Sequence, residues 1–220
     1  MAKKHRDYDN DFPSVTTALD MLRKIGLEMW FKANTPEFIK AESEKGKLIG
    51  TQLHEAIQAH IELNEIKIET QYPDEITNAL KSFMLFKKEH PEIKLKKAEI
   101  KMTSLIHKCN GTMDVEAKIG NLIVPGDWKT GNAKDEEKPK IYDEYITQLS
   151  AYLKFYNELF GKKAKEGFIA VFAKDKVAYN YRLIPEQEIE LCFNEIFLPA
   201  LKIYYGQKAL KQLRKGVANG

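Results

Sequence analysis

The chain has 220 residues, with 35 Lys or Arg against 32 Asp or Glu, a net charge of +3 and 43% apolar residues. Its longest apolar run, Phe168 to Ala173, is six residues, far short of the ~20 that span a bilayer. Its two cysteines, Cys109 and Cys192, cannot build a disulfide framework, a four-cysteine zinc site or a four-cysteine iron–sulfur ligand set.

So small a basic excess says nothing by itself about nucleic acid, and attraction for phosphate must come from local clustering. The segment from Met1 to Phe12 is charged and lacks the apolar core of a secretory signal. The composition leads us to expect one soluble cytoplasmic domain over residues 13–215, between short tails at 1–12 and 216–220.

In chain order, Ser14 and Thr16 cap an expected helix that carries Leu19, Leu22, Ile25, Met29 and Trp30 at three- and four-residue spacing. Pro36 opens a short helical stretch. A longer helix from about Lys45 to Asn64 has Leu48, Ile49, Leu53, Ile57 and Ile61 on its apolar stripe, and a fourth follows Pro73 to the His90-Pro91 break. The period then falls to two. One strand covers Ile93 to Ile106, and a second alternates Met113, Val115, Ala117 and Ile119 with Asp114, Glu116 and Lys118.

Leu122 to Val124 continues beyond Gly120-Asn121, and Thr130 to Lys140 reads as a loop. A helix over Ile141 to Phe160, strands over Gly167 to Ala173 and Val177 to Leu183, and a last helix from Pro185 complete the chain. In that last helix Glu186, Glu188 and Glu190 lie near the start and Lys208, Lys211, Arg214 and Lys215 near the end, which suits the helix dipole. The order points to one mixed α/β domain.

The chemistry concentrates between Gly111 and Gly131. A two-residue turn at Gly120-Asn121 pairs Ile119 with Leu122, and the same register places Asp114 opposite Asp127. Directly opposed residues share a face, with Cβ atoms ~4.5–5.5 Å apart, and Lys129 projects from that face if the strand continues. Like charges so opposed are destabilising, so the pair invites a divalent cation. Hard oxygen ligands suit magnesium or manganese rather than zinc. A surface hairpin with solvated acids is the alternative, because Asp-x-Lys is a common triplet. Pro125-Gly126 can also bulge the strand and shift its register.

Four segments taken together resemble a known family. Gly50-Thr51-Gln52-Leu53-His54, Gly111-Thr112-Met113-Asp114, Asp127-Trp128-Lys129-Thr130 and Gln148-Leu149-Ser150-Ala151-Tyr152 are similar to successive motifs of the PD-(D/E)XK nuclease superfamily. They are most similar to its RecB-like exonuclease branch, which includes mitochondrial genome-maintenance and phage exonucleases. The Pro13-Ser14-Val15-Thr16 opening fits the same pattern, and the resemblance runs to about Leu183.

The resemblance implies a three-layer α/β/α, restriction-endonuclease-like core with a central mixed sheet and an N-terminal helical portion. It implies hydrolysis of DNA phosphodiester bonds by metal-activated water, with Mg2+ or Mn2+ as cofactor and exonuclease action on single-stranded ends. Asp114, Asp127 and His54 would be metal ligands, joined by the backbone carbonyl of Trp128, and Lys129 the catalytic lysine. Gln148 and Tyr152 would support the catalytic residues and contact the strand. DNA would be the partner, with other replication or recombination proteins beside it, and with no membrane and no nucleotide cofactor.

The alternatives are a structure-specific endonuclease of the same superfamily and an inactive nucleic-acid-binding module. No proline precedes Asp114 as is usual in the branch, and the cysteines of its iron–sulfur members are absent.

Other residues have two readings. Tyr145, Gln148, Leu149 and Tyr152 form one helical stripe, whose glutamine and tyrosines need hydrogen-bond partners. Lys134, Lys138 and Lys140 in the loop, and Lys94, Lys96, Lys97 and Lys101 on the strand, line a phosphate path or a solvated face. Glu99 is either a third acid near the metal or an outward residue among lysines. His107 and Cys109 lack the further ligands that a zinc site requires and read as structural.

Overall fold

The computed structural model describes residues 8–22, 25–63 and 73–218. The expected tail residues 1–7 and 219–220 lie outside them. Two short helices, α1 (Val15–Leu19) and α2 (Ile25–Ala33), precede a 28-residue helix α3 (Pro36–Leu63) and α4 (Asp74–Glu89). Three antiparallel strands follow: β1 (Ile93–Ser104), β2 (Cys109–Ile119) and β3 (Leu122–Gly131). Helix α5 (Asp143–Phe160) crosses over to β4 (Gly167–Ala173), which lies parallel to β3, and β5 (Tyr179–Ile184) returns antiparallel. The chain closes with α6 (Glu186–Leu191), a π-helical turn at Cys192–Phe197 and α7 (Leu198–Ala218).

The five strands form one mixed sheet in sequence order. Its two faces bury separate apolar layers. Helices α3 and α4 bring Leu53, Ile57, Ile76, Phe83 and Phe86 against Val115, Ala117, Trp128, Phe168 and Phe172. On the other face α5 brings Leu149, Tyr152, Leu153 and Tyr156 against Met102, Met113, Ile169 and Val171, and α1 and the C-terminal helices close over them. This is the three-layer α/β/α core with an N-terminal helical part. Strand β4 is buried along its whole length, as expected of an apolar run with helices on both sides.

Several boundaries differ from the periodicity. The helix beginning at Ser14, whose hydroxyl accepts the Thr17 amide at 3.0 Å, stops at Leu19, and Met29 on α2 is 66% exposed instead of lying on a buried stripe. The two helical stretches from Pro36 and Lys45 are one helix. Proline at its first position loses only an amide that has no intrahelical partner, and Gly46 and Gly50 do not break it. Only its second half packs, through Ile49, Leu53 and Ile57. Thr130 and Gly131, expected to open the loop, still belong to β3. The π-helical turn inserts one residue into the C-terminal helix, and Cys192, Phe193 and Phe197 are buried within it.

The β2–β3 register runs from Ile119↔Leu122 to Val115↔Gly126 without a shift, straight through Pro125. Gly126 is required there by contact rather than by φ. A Cβ at this position would lie 2.2 Å from Cζ of the fully buried Phe168 on β4. Gly126→Ala is therefore expected to lower stability by about 1–3 kcal/mol through overpacking, or several degrees in melting temperature for a chain of this size. A thermal melt equal to that of the parent chain would contradict this packing.

Candidate active site

Strand β3 sets the site by alternation. Trp128 is fully buried on the α4 side, its ring 5.3–5.9 Å from those of Phe83, Phe86, Phe168 and Phe172. Its neighbours Asp127 and Lys129 therefore turn to the α5 side, where Lys129 Nζ lies 5.5 Å from the centroid of the Tyr145 ring. Lys129 Nζ is in ion-pair contact with Asp127 Oδ2. Asp127 is 1% exposed, and neither of its carboxylate oxygens accepts a well-aligned hydrogen bond. The ion pair thus leaves Oδ1 as a buried acceptor without a donor, which is costly.

Burial pushes the Asp127 carboxyl up to about 7, and the nearby charge of Asp114 adds to the effect while Lys129 and His54 oppose it. For Lys129, burial favours loss of the proton, but the carboxylates of Asp127 and Asp114 outweigh burial and raise its pKa above the ordinary lysine value. Lys129 is therefore a fixed ammonium.

Asp114 lies on β2 next to this pair. Its Oδ2 accepts the Trp128 backbone N–H at 2.7 Å, which ties the two strands together where their regular pairing has ended. Its Oδ1 is 3.7 Å from His54 Nδ1 on α3, and the same nitrogen is 3.3 Å from Glu99 Oε1 on β1. Burial lowers the pKa of His54, yet the hydrogen bond with Glu99 and the charge of Asp114 hold it above the usual histidine value.

Glu99 has φ +47° in the middle of a strand, a conformation costly for a residue with a Cβ. It lies between the pairs Ala98↔Val115 and Ile100↔Met113, hence across from Asp114. One ligand atom from each of His54, Glu99 and Asp114 falls within 4.8 Å of the other two. Sequence reasoning gave Glu99 two readings, and the strand alternation that argues for an outward residue is what this backbone interrupts.

On α5, Gln148 Nε2 donates to Tyr152 Oη at 2.8 Å. Burial raises the Tyr152 pKa well above the ordinary tyrosine value, and burial pushes that of Tyr145 up to about 12. Both stay protonated, so they serve as hydrogen-bonding groups and not as bases. The ring of Tyr152 fills the space that a Cβ at Gly111 would need, 2.9 Å away, which explains glycine at the head of Gly111-Thr112-Met113-Asp114.

Lys134, Lys138 and Lys140 are exposed on the loop between β3 and α5. There the Lys134 backbone N–H donates to Asp175 at 2.7 Å and the Lys140 ammonium pairs with Glu136 at 3.0 Å. His107 packs its ring on Phe155 and Phe193, a structural setting.

Against known proteins, no family model matches the chain, and no curated protein matches it. Among solved structures, the alkaline exonuclease LHK-Exo from Laribacter hongkongensis is similar over 100% of this chain and 97% of its own, at 13% identity and a TM-score of 0.46. The crystal structure of SSO0001 is similar over 87% of this chain and 78% of its own, at 16% identity and a TM-score of 0.39. Likenesses so distant carry nothing about activity.

The donor set fits a hard divalent cation. His54, Glu99 and Asp114 bring one ligand atom each together, and beside them, outside that group of three, Asp127 pairs with Lys129 and keeps its buried Oδ1 without a partner. Oxygen-rich sets of this kind suit magnesium, manganese or calcium, whereas structural zinc favours thiolates and imidazoles. Among the described residues no helix is long and apolar enough to cross a membrane.

Proposed function

We propose that this chain is a divalent-metal-dependent deoxyribonuclease that hydrolyses phosphodiester bonds, acting as an exonuclease on single-stranded DNA ends. The observation that carries this reading is the excess of buried acid. Asp114 and Asp127 are 7% and 1% exposed and Glu99 stands beside His54, yet among the described residues the one ammonium paired within the group, Lys129, contacts Asp127 alone. Buried carboxylates without compensating charge destabilise a fold by several kcal/mol each, and a site that holds them together is suited to a cation.

Asp114, Asp127 and His54 would hold Mg2+ or Mn2+, with Glu99 as a further acid and the carbonyl of Trp128 completing the set. When bound, the ion supplies Lewis-acid stabilisation of charge on the scissile phosphate and a hydroxide nucleophile at neutral pH. Lys129 is held charged by Asp127 and Asp114, so it orients the attacking water and stabilises negative charge developing on the phosphate oxygens. Tyr152, hydrogen-bonded to Gln148, provides a protonated phenol on the α5 side of the cluster.

The test is direct. Incubated with a labelled linear single strand, the protein should release nucleotides in Mg2+ or Mn2+, stop on addition of a chelator, and leave a circular single strand intact. Cutting of the circle would make it an endonuclease. Binding without any cleavage in either metal would leave only a nucleic-acid-binding module.

A further inference from the structure

Strand β1 is an edge of the sheet, and its surroundings are shaped. A cleft of about 750 Å³ is walled by α3 and β1, with His54 and Glu99 at one side and Lys47, Gly50 and Lys101 around them. A second trough of about 650 Å³ continues along β1 past Lys96 and Lys97, and Glu99 and Lys101 line both. The two hollows adjoin at Glu99 and Lys101, beside the acid cluster, and are taken together as one channel.

Lysines on an edge strand also discourage pairing with another sheet, but that role does not require any of them to be placed. Lys101 is placed. Its Nζ lies over the ring of Tyr8, 6.0 Å from the centroid, and the Tyr8 hydroxyl hydrogen-bonds Thr112 Oγ1, on the residue opposite Lys101 in the ladder. Asn110 fastens the chain beyond Tyr8. Its side chain accepts the Asp9 N–H at 3.2 Å and donates to Asp9 O and Phe12 O at 2.7 and 3.1 Å.

We propose that this channel is the path of the single DNA strand being cut, with Lys101 as a phosphate-binding residue next to the metal cluster and Tyr8 as the residue that positions it. The inference rests on the nuclease reading and names the route by which the strand reaches that site. Lys47, Lys96, Lys97 and Lys101 line the two hollows against Glu55, Glu62 and the cluster's own Glu99, and a lysine-rich lining beside a cation-binding cluster suits a chain of phosphates. Tyr8, 43% exposed, adds an aromatic surface of the kind that accepts unpaired bases.

The experiment is fluorescence anisotropy with a labelled single-stranded DNA oligonucleotide in calcium, repeated at several salt concentrations, alongside cleavage kinetics in manganese. Lys101→Ala should weaken binding by roughly 5–10-fold and reduce the dependence of log K on log salt by about one phosphate contact. In cleavage it should raise KM and leave kcat within about twofold. Tyr8→Ala should shift KM in the same direction, and Tyr8→Phe, which keeps the ring, should shift it less.

Lys118→Ala, an exposed lysine outside the channel, should change nothing. Unchanged binding and salt slope in Lys101→Ala would overturn the path while leaving a cleaving parent chain a nuclease. A parent chain that cuts nothing would sink the nuclease reading instead, and the binding titration would still decide the path.

Discussion

Lys129→Met is expected to reduce strand cleavage by at least ~10²–10³-fold, the size seen when one preorganised donor aimed at a transition-state charge is removed. The side chain is half-buried, pairs with Asp127, and is kept protonated by Asp127 and Asp114 together. Methionine fills nearly the same volume without the charge, so packing against Tyr145 survives. Removing one member of a buried ion pair normally costs ~3–5 kcal/mol, but burial already raises the Asp127 carboxyl, which can take up a proton once the lysine is gone, so the domain should stay folded. Lys129→Arg should not restore the rate, because a planar guanidinium does not occupy the place of a compact ammonium. The check is single-turnover hydrolysis of an end-labelled single strand, with manganese affinity measured in parallel. Full activity in Lys129→Met would remove the lysine from the mechanism.

The second expectation concerns Asp127, where function and stability oppose each other. Its folded pKa of about 7 lies above the ordinary value of 3.8. Between those pH values the folded state keeps a proton that the unfolded state has lost. The resulting stabilisation is complete below about pH 4 and disappears as pH rises through 7. Metal-free protein should therefore lose stability between pH 5 and pH 8, by roughly 1–3 kcal/mol on account of this group.

Asp127→Asn should flatten that dependence and raise the melting temperature at pH 8 in chelator, while abolishing cleavage. Manganese should stabilise the parent chain at pH 8 by about 2.7 kcal/mol when present at a hundred times its dissociation constant, and stabilise Asp127→Asn far less. Urea titrations at the two pH values, with chelator and with manganese, measure all of this. A metal-free melt indifferent to pH and to the substitution would contradict the raised pKa of the buried Asp127 carboxyl.

The hairpin was the most legible part of the chain. Gly120-Asn121 and the alternation on either side fix which residues face each other, and the pairing holds to Val115↔Gly126, one step short of Asp114 and Asp127. Trp128 between Asp127 and Lys129 was equally readable, since a buried indole on one face sends its neighbours to the other. Glu99 was not readable, because its positive φ breaks the period by which strand residues are assigned to faces.

The first half of α3 reads as a separate stretch because its residues face solvent. An exposed segment carries no apolar stripe to show that the helix continues. Helix α1 failed in the opposite way: Leu22, Met29 and Trp30 keep helical spacing across a break after Leu19 that spacing alone does not reveal. The latch of Asn110 on the segment beyond Tyr8 depends on contacts about a hundred residues apart, which no local pattern encodes.

The most direct measurement is anomalous diffraction from crystals soaked in manganese. A manganese peak within coordination distance of the Asp114 and Asp127 carboxylates and the His54 imidazole, with the Lys129 ammonium beside it, is the predicted result. A map with no peak among those groups at saturating manganese, or with the ion held elsewhere on the chain, would contradict the site.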